Sequence, residues 1–115
     1  VARELNREWA AAPVRVHAIG DYYRVPTAWF AQALKGRGYT DAEIGLHAGL
    51  ADTSLMLAID PKLVRADRLQ PAPRQAGLPG VTGDPRRATP ELGMIAVDAI
   101  VAQTVAAVRA AVASH

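Results

Sequence analysis

The sequence of 115 residues predicts an α/β protein with a single hydrophobic core. Apolar residues recur at helical spacing near both ends of the chain, which indicates helices there. By contrast, Val14–Ile19 alternates along its length and is rich in β-branched residues, which is typical of a strand. One strand alone does not form a stable sheet, so we expect its partners to lie outside the segments that this pattern identifies.

The first predicted element is a helix over Val1–Ala12. Its apolar stripe consists of Val1, Leu5 and Trp9, which are spaced by four residues, and Pro13 ends it. The chain opens without Met, already in a helical pattern and without the layout of a signal peptide. We therefore expect it to begin inside a longer domain.

A second helix is expected after the strand. Asp21–Arg24 is predicted to be a loop that follows the strand, where α/β folds carry side chains toward a ligand crevice. Pro26 is expected to interrupt the chain again. Thr27 can then cap a helix that ends at Gly36.

The C-terminal half contains two more predicted helices and a long loop. Leu55–Ile59 is expected to be helical and to end before Pro61, because a residue that precedes proline avoids the helical conformation. Residues 66–88 are rich in Pro, Gly and Arg and are predicted to be a loop that covers the mouth of a pocket or a neighbouring subunit. Thr89 followed by Pro90 marks the start of a helix that continues to the C-terminus.

Composition argues against several classes of function. The formal charge of +2 comes from scattered Lys and Arg residues, whereas nucleic-acid binding needs a clustered basic surface. The sequence has no Cys, which excludes disulfides and thiolate chemistry and suits a cytoplasmic protein. No segment has the ~20 uninterrupted apolar residues of a membrane span, so we expect neither a nucleic-acid nor a membrane partner.

The segment Gly45–Leu57, with the sequence GLHAGLADTSLML, raises the question of function because it places His47 and Asp52 beside a strongly apolar run. Three interpretations are open. Asp52 can cap the following helix, with His47 as a loop residue. The two residues can belong to a metal or acid–base site, although a catalytic zinc site takes about three protein ligands. Ser54 can complete a hydrolytic triad with them, although it lacks the usual glycine-flanked turn.

The same segment resembles the creatininase (creatinine amidohydrolase) family. His47-Ala48-Gly49 and Asp52-Thr53-Ser54-Leu55-Met56-Leu57 are similar to the family pattern H-[AG]-G-x-x-E-T-S-x-M-L, and Pro61–Val64 is similar to the P-x-x-V ending that follows it. The sequence Gly80–Pro85 and the long terminal helix from Thr89 also resemble many members.

The resemblance implies a layered α/β/α fold with a mainly parallel sheet and a two-metal centre. It also implies hydrolysis of amide-type C–N bonds by metal-activated water, with a cyclic amide, a formamide or a short peptide as the substrate. The cofactor would be a divalent metal, zinc or manganese.

Site residues follow from the same resemblance, position by position. His47 matches the family histidine that moves protons, and we expect it to be catalytic. Asp52 matches the family glutamate near the metals and is one methylene shorter. Leu46 stands where creatininase itself has a catalytic glutamate, which argues against creatinine as the substrate. Tyr22 and Tyr23 fall near a residue that covers the substrate.

The other metal ligands of the family precede the region that is matched here. Residues 1–115 are therefore expected to form a single partial domain, the C-terminal half of a family member, with most metal ligands outside this chain and no activity alone. We expect the complete enzyme to be a homo-oligomer. The alternative is a non-catalytic fragment that serves as an interaction module and lacks the metal-binding half.

Overall fold

A computed structural model describes residues 1–69 and 82–113. Within these ranges the α-helices are α1 Ala2–Glu8, α2 Asp21–Arg24, α3 Phe30–Lys35, α4 Asp41–Ile44, α5 Leu50–Ile59 and α6 Pro90–Ala113. A π-helical turn at Val25–Trp29 joins α2 to α3, and short 3₁₀ turns lie at Pro61–Leu63, Ala66–Arg68 and Pro85–Arg87.

The predicted strand at Val14–Ile19 is not formed, and the described residues contain no sheet. The side chain of Asn6 instead bonds both backbone polar groups of Val16. The Val16 N–H donates to Asn6 Oδ1 at 2.7 Å, and Asn6 Nδ2 donates to the Val16 carbonyl at 2.8 Å. The isolated antiparallel bridge between His47 and Thr82 is the only β-type pairing in residues 1–69 and 82–113. The strand prediction was wrong because the alternating pattern has no strand to pair with here.

The N-terminal helix is shorter than predicted. α1 begins at Ala2, as expected, but it ends at Glu8 rather than at Ala12. It buries none of its residues, and helices this short depend on packing for their stability. The apolar spacing therefore located the helix correctly, while Pro13 did not set its end.

Pro26 does not interrupt the chain, and Asp21–Arg24 is helical rather than a loop. α2, the π turn and α3 follow one another directly, and Pro26 occupies the π turn. Wide π turns accommodate residues that disturb the regular helical ladder. Thr27 does not cap a helix, since its Oγ1 donates to the carbonyl of Tyr23 at 2.7 Å. The predicted end at Gly36 is confirmed, since Gly36 is the C-cap of α3.

α5 and α6 pack against each other and carry much of the core. Their backbones approach most closely at Gly93, where an added Cβ would lie 1.9 Å from the carbonyl oxygen of Ser54. The end of α5 at Ile59 and the start of α6, where Thr89 Oγ1 accepts the N–H of Leu92 at 3.2 Å, confirm the sequence predictions. α5 begins at Leu50, five residues before the predicted helix, so Asp52 lies inside it. The buried apolar residues are Val25, Phe30, Leu34, Ile44, Leu50, Ala51 and Ala96.

α6 extends beyond this small core and makes the molecule long. The principal extents are 61 × 27 × 26 Å, and the radius of gyration is 18.2 Å, compared with about 13 Å for a compact chain of this length. Among the described residues, α6 is the one helix long and apolar enough to cross a membrane by length and composition. Its most apolar 18-residue window has a mean hydropathy of 1.7, and 6% of that window is buried.

Candidate functional site

The loop between α4 and α5 presents His47. It is bounded by Gly45, which has φ +67°, and by Gly49, which is the N-cap of α5. Ala48 also has a positive φ, 53°, although it carries a Cβ. Non-glycine residues rarely adopt this left-handed conformation, and they hold it only where surrounding contacts impose it.

Thr82 supplies a large part of those contacts. Its backbone N–H donates to the His47 carbonyl at 2.9 Å, and its own carbonyl accepts the N–H groups of Leu46 and His47 at 3.0 and 3.3 Å. The Oγ1 atom accepts the same two N–H groups, both at 3.0 Å. The backbone of His47 is thus fixed on both sides by a residue 35 positions later in the chain.

Three glycines allow these two segments to touch. An added Cβ on Gly45 would lie 1.8 Å from the carbonyl oxygen of Thr82, and one on Gly83 would lie 2.6 Å from the Cα of Gly49. No side chain fits at such distances. The loop and residues 82–83 therefore pack backbone against backbone, which glycine alone permits.

Asp52 stabilises the left-handed backbone of Ala48. It lies at the third position of α5, and its Oδ2 accepts the N–H of Ala48 at 2.9 Å. The next residue, Thr53, donates from Oγ1 to the Ala48 carbonyl at 3.5 Å. Asp52 is therefore not the N-cap, which is Gly49, and its carboxylate satisfies an amide just before the helix. Its Oδ1 accepts no hydrogen bond from the described residues.

His47 and Ser54 lie in different surroundings. The side chain of His47 is exposed, and its imidazole makes no hydrogen bond to any of the described residues. Ser54 is completely buried where α6 crosses α5, and its Oγ has no partner in residues 1–69 and 82–113. A nucleophilic serine has to reach both its base and its substrate. The structure does not bring these residues together as a hydrolytic triad.

A cleft of about 420 Å³ opens beside this loop. Asp52 and Leu46 line it, whereas His47 is not among its lining residues. A second carboxylate, that of Asp41, also lines the cleft and forms an ion pair with Lys35 at 2.7 Å. The full lining is Pro26, Thr27, Ala31, Asp41, Ala42, Ile44, Gly45, Leu46, Ala51, Asp52, Thr82 and Gly83.

Tyr22 and Tyr23 both belong to α2. Their rings pack edge to face, with centroids 5.5 Å apart and an interplanar angle of 87°. They are 50% and 72% exposed, and neither lines the cleft. The two tyrosines are therefore outside the lining of the cleft around Asp52, although Pro26 and Thr27 in the turn that follows α2 belong to it.

Thr82 and Gly83 belong to the Gly80–Pro85 segment that resembles the family, but the sequence did not predict that they contact the loop of His47. They lie within the stretch predicted to be a long loop, most of which, residues 70–81, is outside the described residues. The helical turn at Pro85–Arg87 follows them directly. The adjacent pair of a hydroxyl residue and glycine was the available signal, but nothing local in the sequence identifies its partner near residue 47.

An ionic cluster fixes the turn at Pro85–Arg87 to α4. Arg87 Nη1 pairs with Glu43 Oε1 at 2.7 Å, and the guanidinium lies 4.3 Å from the centroid of the Tyr39 ring. The backbone N–H and hydroxyl of Thr40 donate to the other oxygen of Glu43. The Thr40 hydrogen bonds, followed by that of Arg87, hold the pKa of Glu43 below its ordinary value.

The described residues do not by themselves form a metal centre. Residues 1–69 and 82–113 contain no group of three or more His, Asp or Glu side chains placed to hold an ion. Asp52 has only one oxygen left without a hydrogen-bond partner. The fit of a two-metal centre to this part of the chain is therefore poor.

Family comparison identifies the class of protein. Residues 1–108 match the creatininase family, described as creatinine amidohydrolase, and the chain belongs to that family. Membership implies a creatininase-like fold and supports an amidohydrolase-type function at the level of the family, whose members are generally metal-dependent. Neither a curated protein nor a solved structure matches the chain.

Proposed function

We propose that this chain supplies the proton-transfer segment of a metal-dependent hydrolase acting on amide-type C–N bonds. The observation that carries the proposal is the way His47 is held. Its backbone is bonded on both sides to Thr82, while its imidazole is exposed and unbonded among the described residues. An imidazole can accept and donate a proton near neutral pH, and a fixed backbone limits the positions it can reach.

The proposal gives Asp52 two roles, one for each of its carboxylate oxygens. Through Oδ2 it stabilises the left-handed Ala48, which sets the direction in which the chain leaves His47. Its Oδ1 stays available to a divalent metal, zinc or manganese, whose other ligands come from polypeptide outside the described residues. The described residues supply too few donors to hold such a metal by themselves.

We infer the preferred class of substrate from one residue that lines the cleft. Leu46 is 80% exposed and lines the cleft at the position where the family resemblance places a catalytic glutamate. An apolar side chain there can neither exchange a proton nor accept a hydrogen bond. We expect creatinine to be a poor substrate, and a formamide, another cyclic amide or a short peptide amide to be preferred. Tyr22 and Tyr23 do not line the cleft, so a contact between them and the substrate would require α2 to move toward it.

The test uses the protein expressed from its complete reading frame and assays the three amide classes. Chelator should abolish hydrolysis, and added zinc or manganese should restore it. His47→Gln should reduce kcat at least about a hundredfold, as expected for loss of a general acid or base. His17→Gln is the matched control, because His17 is another exposed histidine and lies far from the loop in sequence. Full activity in chelator, or in His47→Gln, would contradict the proposal.

The second candidate is a non-catalytic interaction module. It is favoured by one observation, the large apolar surface that α6 leaves exposed within the described residues. A complete protein that hydrolyses none of the amides but binds a partner through this surface would support it.

A further inference from the structure

Leu46 lines the cleft with a large apolar side chain that stays open to solvent. Its exposure is 80%, and among the described residues only Val1, at the start of the chain, exposes a large apolar side chain more fully. A single exposed leucine is common on protein surfaces, so its significance depends on what surrounds it.

Part of the cleft lining belongs to the hydrophobic core. Ile44 and Ala51 line the cleft, are only 5% and 8% exposed, and are members of the buried core cluster. Ala31, another lining residue, packs against that cluster. Pro26 and Ala42 add to the apolar lining. The cleft therefore offers an apolar surface that is already formed, as small-molecule pockets usually do.

The backbone of Leu46 is fixed beside this surface. Its N–H donates to the carbonyl oxygen and to Oγ1 of Thr82, each at 3.0 Å. The preceding residue, Gly45, has a positive φ and packs directly against Thr82. Backbone hydrogen bonds thus set the position of Leu46 without burying its side chain, and a positioned side chain of this kind can contact a ligand.

The charged groups of the cleft disfavour an anionic ligand. The carboxylates of Asp41 and Asp52 line it, and none of the described lining residues is Lys or Arg. Lys35 offsets part of this charge through its ion pair with Asp41 at 2.7 Å, but it is not a lining residue. A carboxylate placed in the cleft would be repelled by the remaining negative charge, whereas a neutral ligand would not.

We propose that Leu46 determines specificity by packing against a branched apolar group of a neutral amide substrate. This inference rests on the proposed function, because His47, the residue assigned to proton transfer, follows Leu46 directly in the chain. An apolar group held at Leu46 would bring the amide bond next to it toward the loop that carries this histidine. The preferred substrates are neutral amides that flank a leucine-like side chain, and amides that flank a bare methylene or a carboxylate are poor ones.

The first experiment follows binding to the 115-residue chain by NMR titration with probes that differ in one group. N-acetylleucinamide should bind about tenfold more tightly than N-acetylglycinamide, because an added apolar group in an apolar pocket gives a factor of this order or more. The amide resonances of Ala31, Ile44 and Leu46 should shift. N-acetylleucine, which carries a carboxylate, should bind more weakly than N-acetylleucinamide, and added salt should reduce that difference.

Leu46→Ala should reduce the preference for the leucine probe to about threefold or less, because it removes most of the apolar side chain that the probe contacts. Leu63→Ala is the matched control. Leu63 is also an exposed leucine, at 61%, but it does not line the cleft, so the preference should persist. Circular dichroism should show the helix content of the parent chain in both variants.

The second experiment separates this inference from the proposed function. The protein expressed from its complete reading frame is assayed for hydrolysis of the two neutral amides, and kcat/KM should favour the leucine amide about tenfold through Leu46. Binding that prefers leucine and depends on Leu46, without hydrolysis of either amide, would support the role of Leu46 in the cleft and contradict the proposed function.

Other outcomes would overturn the inference and leave the proposed function standing. These are hydrolysis of both amides with equal kcat/KM, a leucine preference that Leu46→Ala leaves unchanged, and equal effects of Leu46→Ala and Leu63→Ala. Tighter binding of N-acetylleucine than of N-acetylleucinamide would contradict the preference for a neutral ligand and would overturn it as well.

Discussion

The carboxylate of Asp52 accepts a hydrogen bond from the backbone N–H of Ala48, at 2.9 Å, and thereby holds a residue with a left-handed backbone. Ala48 immediately follows His47. This bond therefore couples the first turn of α5 to the conformation of the loop that presents the histidine.

Ala48→Gly should stabilise the protein. Glycine adopts a positive φ without the steric cost that a Cβ carries, and Ala48 is exposed, so no packing is lost. After the greater freedom of the unfolded chain is subtracted, we expect a gain of about 0.5 kcal/mol in the free energy of unfolding. Urea denaturation measures it.

Asp52→Ala should do the opposite and lower the free energy of unfolding by about 1 kcal/mol, because the Ala48 amide loses its acceptor and the helix loses an acid in its first turn. In the double variant with Ala48→Gly the loss should be smaller, since glycine needs less support. Equal losses in both backgrounds would show that the bond does not stabilise the left-handed residue.

Thr82→Val should loosen the bridge to the loop without breaking it. The valine removes the Oγ1 acceptor of Leu46 and His47, but the carbonyl of residue 82 still accepts both N–H groups. We expect a loss of about 0.5–1 kcal/mol and shifts in the NMR resonances of these two amides. Thr27→Val, which removes a hydroxyl from the surface of the π turn, should leave them in place.

Gly93→Ala should be severely destabilising, by about 3 kcal/mol or more, because its Cβ would overlap the carbonyl oxygen of Ser54 and force α5 and α6 apart. Gly20→Ala is the control. Nothing lies within 4 Å of the Cβ it would add, and its φ of −73° suits any residue. A thermal melt compares the two, and similar midpoints would contradict the close contact between these helices.

The Glu43 cluster predicts how stability changes with acid. Hydrogen bonds from Thr40 and Arg87 lower the pKa of Glu43 from 4.5, so its ionised form is favoured in the folded state. The resulting stability is present above pH 4.5 and is lost as the pH falls through the lower, folded pKa. Glu43→Gln should therefore be less stable than the parent chain at pH 7 and equal to it in strong acid.

Urea midpoints measured from pH 7 to pH 3 test this. Glu8→Gln is the control, because Glu8 makes no hydrogen bond or ion pair with the described residues. A difference between Glu43→Gln and the parent chain that stayed constant with pH would contradict the role of the charge.

The 115-residue chain should bind no zinc tightly. Catalytic zinc sites take about three protein ligands, and the described residues contain no group of three donors. Equilibrium dialysis with zinc alone should give less than one ion per chain. Stoichiometric binding that Asp52→Asn removes would instead show that this chain carries a metal site of its own.

The sequence predicted the helices that have clear local signals. The hydroxyl and proline at the start of α6, the proline after α5 and the glycine after α3 each act within a few residues, so each boundary could be anticipated. Local signals could not decide whether Val14–Ile19 forms a strand, because a strand is stable only when it pairs with another segment. The prediction that Pro26 interrupts the chain was wrong, because a π turn accommodates the proline.

The candidate site was predictable only in part. His47 and Asp52 stood out because they lie beside an apolar run, and the family resemblance supplied their expected roles. The loop that carries His47 is ordered by Thr82, 35 residues away. That contact depends on glycines that permit backbone contact across the fold, and no local pattern specifies which segments will meet. The hydrogen bond from Ala48 to Asp52 likewise depends on the positive φ of Ala48, which an alanine in the sequence does not predict.

The length of the molecule, 61 Å against 27 and 26 Å, governs how it rotates in solution. A rod-like particle tumbles more slowly about its short axes, so amide bonds parallel to α6 will relax differently in NMR from those that lie across it. Comparing nitrogen relaxation rates of amides along α6 with those across it therefore measures this anisotropy in solution.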